Sequence, residues 1–222
     1  LFPNATISRL KVVTRSRTHP LIPLETTTSS RLDPGPLIDH ELELVTPELR
    51  WVDAMIQSCQ HPLTQLLMPA QAHISRLQWE IFIQQHVNGN KHFHSAQGEY
   101  LSYHFWMHLR LPTICDIPIA GALGLRLGHD ENLEMYLGHL GYHVLPPARG
   151  HRYAERACRL VLPLARRHGF KELWITTNPD NTASRRTIEH LGGQWVGLVD
   201  VPADNPLYAQ GDRQKYRYRL IL

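Results

Sequence analysis

The seven residues Pro146-Pro147-Ala148-Arg149-Gly150-His151-Arg152 join an apolar stretch to an arginine-rich amphipathic run. The prolines and small residues stop a strand, and the periodicity beyond them predicts a helix from about Gly150. A helix start leaves about four backbone N–H groups unpaired and carries the positive end of the macrodipole. Arg149 and Arg152 add cationic charge, and Gly150 permits close backbone approach, so a phosphate or pyrophosphate is the natural ligand of this turn. The chain also holds 15 histidines. His92 and His94 share one face of an extended segment, and His104 and His108 stand at helical spacing. Such pairs suit a transition metal, but no carboxylate or thiolate shares their spacing, and no metal is expected. Cys59, Cys115 and Cys158 form no C-x-x-C motif and leave an odd count, which predicts reduced core thiols and a cytoplasmic protein.

These residues need elements to position them. An apolar, β-branched strand runs to Leu145, and Leu173-Trp174-Ile175-Thr176-Thr177 reads as a buried strand. Asp180 stands where a helix cap belongs, ahead of a helix from Thr182 to Leu191. The stretch from Gly138 to Gly193 is therefore a β-α-β-α unit. Upstream, residues 1–36 are rich in Pro, Thr, Ser and Arg and read as an extension or arm that packs on the domain or on a second subunit, an arrangement compatible with a homodimer. The domain is expected over 37–222. Its first strand ends at Val45, and Thr46-Pro47-Glu48 opens a helix running through Trp51, Ala54 and Met55 towards Cys59. Residues 62–87 are helical in pattern, with Ile74, Leu77, Ile81 and Ile83 available for a buried stripe.

Tyr100–Leu109 and Ile117–Gly128 read as an antiparallel pair, in which Gly121 and Gly124 mark close backbone approach. His129-Asp130-Glu131-Asn132 then turns the chain into the central strand. Gln194–Val201 and Lys215–Ile221 are further strands, separated by a loop at 202–206 that is read as a flexible lip. In the last strand Tyr216 and Tyr218 face one way, and Lys215, Arg217 and Arg219 the other.

Composition narrows the function classes. A chain of 222 residues with 42% hydrophobic and 19% charged residues is ordinary for a globular protein. No apolar run approaches the roughly 20 residues needed to span a bilayer, so no membrane partner is expected. A formal net charge of +3 is small, and the arginines cluster at 149–167 and 185–186. That pattern fits a local anionic ligand and argues against nucleic acid.

The run His139–Gly193 resembles the GNAT superfamily of acyl-CoA N-acyltransferases, in the branch similar to ribosomal-protein N-terminal acetyltransferases. The matching features are the loop Arg149-Gly150-His151-Arg152-Tyr153-Ala154 after a strand, the long helix, the next strand, and Asn181-Thr182-Ala183-Ser184 opening a second helix that ends in glycine. Two positions depart from the family pattern. Arg152 stands where a second glycine is usual, and Ile188 where many relatives have a tyrosine acting as general acid. The resemblance implies an α/β (α+β) GNAT fold, a mixed and mostly antiparallel twisted sheet of about six to seven strands flanked by helices.

It also implies a transferase that moves an acetyl group from acetyl-CoA to a primary amine on a peptide or small molecule, by direct attack in a ternary complex. Backbone groups at a bulge near Val144 and Leu145 would meet the pantetheine arm. Arg149, Gly150, His151, Arg152, Tyr153 and Ala154 would take the pyrophosphate, and Asn181 and Ser184 would meet the lower arm or hold the loop. The general base stays open among Tyr142, Glu134 at the start of the central strand, and His139 if a bulge reverses the register. An acyl-CoA-binding sensor with the same fold is the alternative reading.

Overall fold

In the computed structural model the described residues are 31–86, 93–95, 98–110 and 115–222. Residues 1–30, 87–92, 96–97 and 111–114 lie outside them, including most of the expected arm and His92. The strands fall into two antiparallel sheets. One has the order β1 (Leu42–Val45), β3 (Gly98–Leu109), β4 (Ile119–Leu127), β5 (Leu140–Val144), with β2 (Phe93–Ser95) paired to β3. The other has the order β6 (Glu172–Thr177), β8 (Gln214–Ile221), β7 (Gln194–Asp200). The expected mostly antiparallel arrangement flanked by helices is present, its strands divided between these two sheets with β5 and β6 at the seam.

Helix α1 (Val52–Cys59) packs on β4, after a 3-10 turn over Leu49–Trp51. The turn begins after Glu48, so Thr46 does not cap it as expected, and no side chain does. The single helical stretch predicted for 62–87 is three helices: α2 (Pro62–Leu67), α3 (Pro69–Ala72) and α4 (Arg76–His86). Pro69 cannot extend α2, because it has no N–H to donate. The predicted apolar stripe is corrected in part: Leu77 and Ile81 are exposed, whereas Ile83 is buried as expected and α4 also buries Trp79 and Phe82. Trp79 meets Trp106 edge-on at 5.4 Å, a core contact.

The long helix α5 (Tyr153–Arg167) lies across β1, β4 and β5. Tyr153, Ala157, Cys158, Val161, Leu164 and Ala165 are buried at three- and four-residue spacings, and the exposed arginines lie between them. Then come β6, α6 (Thr182–His190), β7, a short helix α7 (Pro206–Ala209) and β8. Asn205 caps α7 by accepting from the Leu207 N–H at 3.0 Å, so the predicted lip at 202–206 leads into a helix. All three cysteines are buried and free, and burial pushes the Cys59 thiol up to about 12.

Residues ahead of β1 are clamped to α5. Arg156 donates to Asp39 through two hydrogen bonds at 2.6 and 2.7 Å, and to Glu41 at 2.6 Å. Burial opposes the charge on Asp39, but Arg156 and the Leu42 and Glu41 amides outweigh it and hold its carboxyl below the usual range. Arg156 does the same to Glu41. Groups with depressed folded values stabilise above their unfolded values and lose that contribution as pH falls. Stability to urea should therefore be flat above about pH 5 and fall below about pH 4, with a shallower acid slope in Arg156→Gln. An unchanged acid slope in that variant would show that the clamp contributes nothing.

Candidate active site

Among the described residues, backbone hydrogen bonds join the two sheets at the start of β5. The His139 N–H donates to the Trp174 carbonyl at 2.7 Å, and the Trp174 N–H donates to His139 Nδ1 at 2.8 Å. Gly138 makes the approach possible: it sits at φ +75°, and a Cβ there would lie 3.0 Å from the Thr176 nitrogen. Beyond this point β5 and β6 diverge and leave a cleft of about 240 Å³. Its walls include Leu140, Gly141 and Tyr142 of β5, Thr176 and Thr177 of β6, and Asn181 and Ser184 of α6.

Register decides which backbone groups face this cleft. Arg126 N–H bonds the His139 carbonyl at 2.8 Å and Leu145 N–H bonds the Ala120 carbonyl at 2.8 Å, so by alternation Gly141 and His143 of β5 turn their backbone groups to β4. In an antiparallel pair the intervening residues point their N–H and C=O groups the other way. Those of Leu140, Tyr142 and Val144 therefore turn towards the β6 side. The register between β4 and β5 is unbroken from Gly121/Val144 to Leu125/Leu140. The expected bulge near Val144 and Leu145 is thus absent; Leu145 N–H is occupied, and the Val144 carbonyl accepts from Arg149 Nε at 3.2 Å.

Three groups of side chains meet in the cleft. Tyr142 Oη and Ser184 Oγ are 3.0 Å apart, and the Asn181 side chain caps α6 by accepting from the Ser184 N–H at 3.0 Å. Burial, with a smaller effect of Cys158, raises the Tyr142 phenol well above its ordinary range. Across from them, Lys215 Nζ donates to Asn178 Oδ1 at 2.6 Å and Asp212 Oδ2 at 2.7 Å, and Asn178 Nδ2 donates to Asp212 Oδ1 at 2.7 Å. The third group is the Arg126 guanidinium, which donates to the Gly138 carbonyl at 3.0 Å.

At the far end of β5, Pro146–Ala148 forms a 3-10 turn and the chain enters α5. Gly150 has φ +86° and Arg152 has φ +58°, both left-handed. The first carries no penalty for glycine; the second costs an arginine about 1 kcal/mol or somewhat more. Arg156 makes the first intrahelical bond, to the Arg152 carbonyl at 3.0 Å. Among the described residues, the Tyr153 and Ala154 N–H groups have no acceptor, and no side chain caps α5. The turn thus presents free donors and the open space over Gly150 that a pyrophosphate needs. The arginines divide the work differently from expectation. Arg152 is held by Glu155 through bonds at 2.8 and 2.9 Å, whereas Arg149 has no carboxylate partner among the described residues.

The family model described as Acetyltransferase (GNAT) domain matches residues 42–194. The chain belongs to the GNAT acetyltransferase family. No protein of curated function matches it by sequence. Solved structures resemble the GNAT domain in fold. A protein assigned as a ribosomal-protein-serine acetyltransferase from Vibrio cholerae is 17% identical, with 86% of this chain and 100% of that chain covered and a TM-score of 0.59. The microcin C7 self-immunity acetyltransferase MccE, in complex with acetyl-CoA and AMP, is 16% identical over 83% of this chain and 94% of its own, with a TM-score of 0.59. An acetyltransferase from Salmonella typhimurium that modifies the N-terminal serine of ribosomal protein L7/L12 is 17% identical over 83% and 96%, with a TM-score of 0.56.

Of the residues predicted for the GNAT site, the cleft brings together Tyr142, Asn181 and Ser184. Arg149, Gly150, His151, Arg152, Tyr153 and Ala154 lie together at the α5 start. Asp180 precedes the cap of α6, which is Asn181. Glu134 is not at the start of β5: it lies within a π-helical segment, Leu133–Leu137, and its carboxylate is 3.2 Å from His129 Nδ1, outside the cleft lining. His139 is buried, with Nδ1 accepting from Trp174 and Nε2 3.0 Å from the Gly128 carbonyl, so the neutral Nε2–H tautomer fits and neither nitrogen is left for a substrate. Burial holds its pKa low despite those carbonyls.

His104 and His108 lie on β3 rather than a helix, and they serve different partners, Ser102 at 3.0 Å and Glu43 at 3.4 Å. Ile188 is fully buried against Gly193, where a Cβ would come within 2.5 Å of it. Sequence reasoning missed Arg126, Asn178, Asp212 and Lys215. The one available signal was Arg126, a cation ending an otherwise apolar strand.

Proposed function

We propose that the protein is an N-acetyltransferase that moves an acetyl group from acetyl-CoA to a primary amine by direct attack in a ternary complex. The single observation that carries this reading is the placing of two features at the two ends of β5, a cleft lined by Tyr142 and Ser184 and the free N–H groups at the α5 start. Arg149 and the N–H groups of Tyr153 and Ala154 hold the pyrophosphate, and Gly150 lets it approach. Acetyl-CoA supplies an activated acyl carbon. An N–H of Leu140 or Tyr142 stabilises charge on its carbonyl oxygen, a contribution of about 3 kcal/mol for one well-placed donor.

The amine must arrive neutral. Its attack forms the C–N bond, the C–S bond breaks, and the amine's proton passes to solvent. Tyr142 is suited to the other proton, because its phenol is protonated beside the cleft: it donates to the departing thiolate, and the phenolate recovers a proton from solvent. In this reading Tyr142, one of three candidates for the base in the sequence, acts as an acid instead and takes the role left by Ile188. Ser184 orients its hydroxyl.

Thiol release from acetyl-CoA tests the reading. Turnover should rise with pH towards about 8 to 9 as the acceptor loses its proton. Tyr142→Phe should lower the rate by about tenfold or more while leaving the profile's shape and CoA affinity unchanged. A change of less than about twofold removes Tyr142 from the mechanism. Acetyl-CoA binding without thiol release across peptide and small-molecule amines would favour the sensor reading.

A further inference from the structure

Arg126 is the cation in the cleft that the transfer reaction leaves unused. Its guanidinium spreads over the β5 backbone at Gly141, where a Cβ would lie 2.9 Å from Nη2 and 3.0 Å from Nη1. One donor goes to the Gly138 carbonyl, and among the described residues no carboxylate pairs with it. The carboxylate in the cleft lining, Asp212, has one oxygen on Asn178 and the other on Lys215. Glu131 and Asp204 open into an adjoining cleft that shares Tyr136 with the first, and neither forms a hydrogen bond or ion pair with Arg126. The lining therefore carries an uncompensated positive charge. Burial lowers the proton affinity of Arg126, as expected for a cation removed from water without an anion.

We propose that Arg126 is a specificity-determining residue that pairs with a carboxylate on the acceptor, so that the preferred substrate is an amine bearing a carboxylate near the attacking nitrogen. This deepens the acetyl-transfer reading and rests on it. The guanidinium has a planar fork of donors suited to a carboxylate, and it lines the same cleft as Tyr142. The phosphates of the cosubstrate cannot meet this need from the α5 start. The four residues of strand from Gly141 to Leu145 alone separate the two sites by about 13 Å. Gly141 is the companion feature, since its missing side chain leaves the guanidinium its place.

The test uses matched acceptors, an α-amino acid and its carboxamide, and an N-terminal acidic dipeptide and its amidated form. Wild-type kcat/KM should favour each carboxylate by about tenfold or more, chiefly through KM. Arg126→Gln should abolish the preference. Gly141→Ala, which crowds the guanidinium tip without removing it, should weaken it, and this second variant guards against a folding defect in the first. Saturation-transfer NMR on CoA-loaded protein reads the same preference without turnover. Equal use of acid and amide by wild type, or a preference that survives Arg126→Gln, overturns the proposal. Selective carboxylate binding in the absence of acetyl transfer keeps the Arg126 site and overturns the transferase reading instead.

Discussion

Gly121→Ala should destabilise the protein by about 3 kcal/mol, at the upper end of overpacking costs. A Cβ at residue 121 would stand 2.2 Å from the His143 carbonyl oxygen and 3.0 Å from the Val144 Cα. Both obstacles are backbone, so no rotamer change relieves them. β4 and β5 would have to separate where Gly121 pairs with Val144, which is the end of β5 that leads into the α5 turn. The melting temperature should fall by about 10 °C, and acetyl-CoA affinity should fall with it. Gly197→Ala is the matched control, a strand glycine with nothing within 4 Å of the added carbon. It should change stability by less than about 0.5 kcal/mol. Equal denaturation midpoints for the two variants would mean that the close β4–β5 approach is not what holds the strands.

Gly150→Pro should reduce acetyl-CoA affinity by about tenfold or more, with the fold intact. Proline fixes φ near −65°, whereas Gly150 sits at +86°. The turn must therefore rearrange, and the N–H groups after it lose their common aim. The space over Gly150 is open, so the rearrangement stays local and the core is spared. Cys158→Ala is the contrast. Its thiol is fully buried in α5 and is pushed far above its usual range by burial, so it is no nucleophile, and its loss should cost packing but not turnover. Calorimetry and thiol release on both variants check this. Equal losses of turnover in the two, with folding retained, would point to a thiol mechanism.

What could be read from sequence was what is local. The strand, turn and helix from β5 to α6 lie close to where apolar pattern, prolines and caps placed them, because each depends on neighbouring residues. The polar cluster of Asn178, Asp212 and Lys215 could not be read, because it needs β6 and β8 to pair and their loops to fold back. Lys215 belonged, by alternation, to the face opposite Tyr216 and Tyr218; that this face is buried at Lys215 depends on the same packing. Glu134 was misplaced because a π-helical segment has no sequence signature in a run such as Leu133–Leu137. His139 looked like a base from its type alone, and only the approach of Trp174 and Gly128 shows its ring occupied. Arg152 broke the glycine pattern, yet the turn keeps its left-handed shape there, with Glu155 holding the side chain.

The central claim is that the cosubstrate lies along β5 with its pyrophosphate at the α5 start. Titration calorimetry of CoA against pantetheine, which lacks the phosphates and the nucleotide, tests it most directly. CoA should bind at least about tenfold more tightly in wild type, and the difference should shrink in Gly150→Pro. Equal affinity for the two ligands in wild type would contradict the claim.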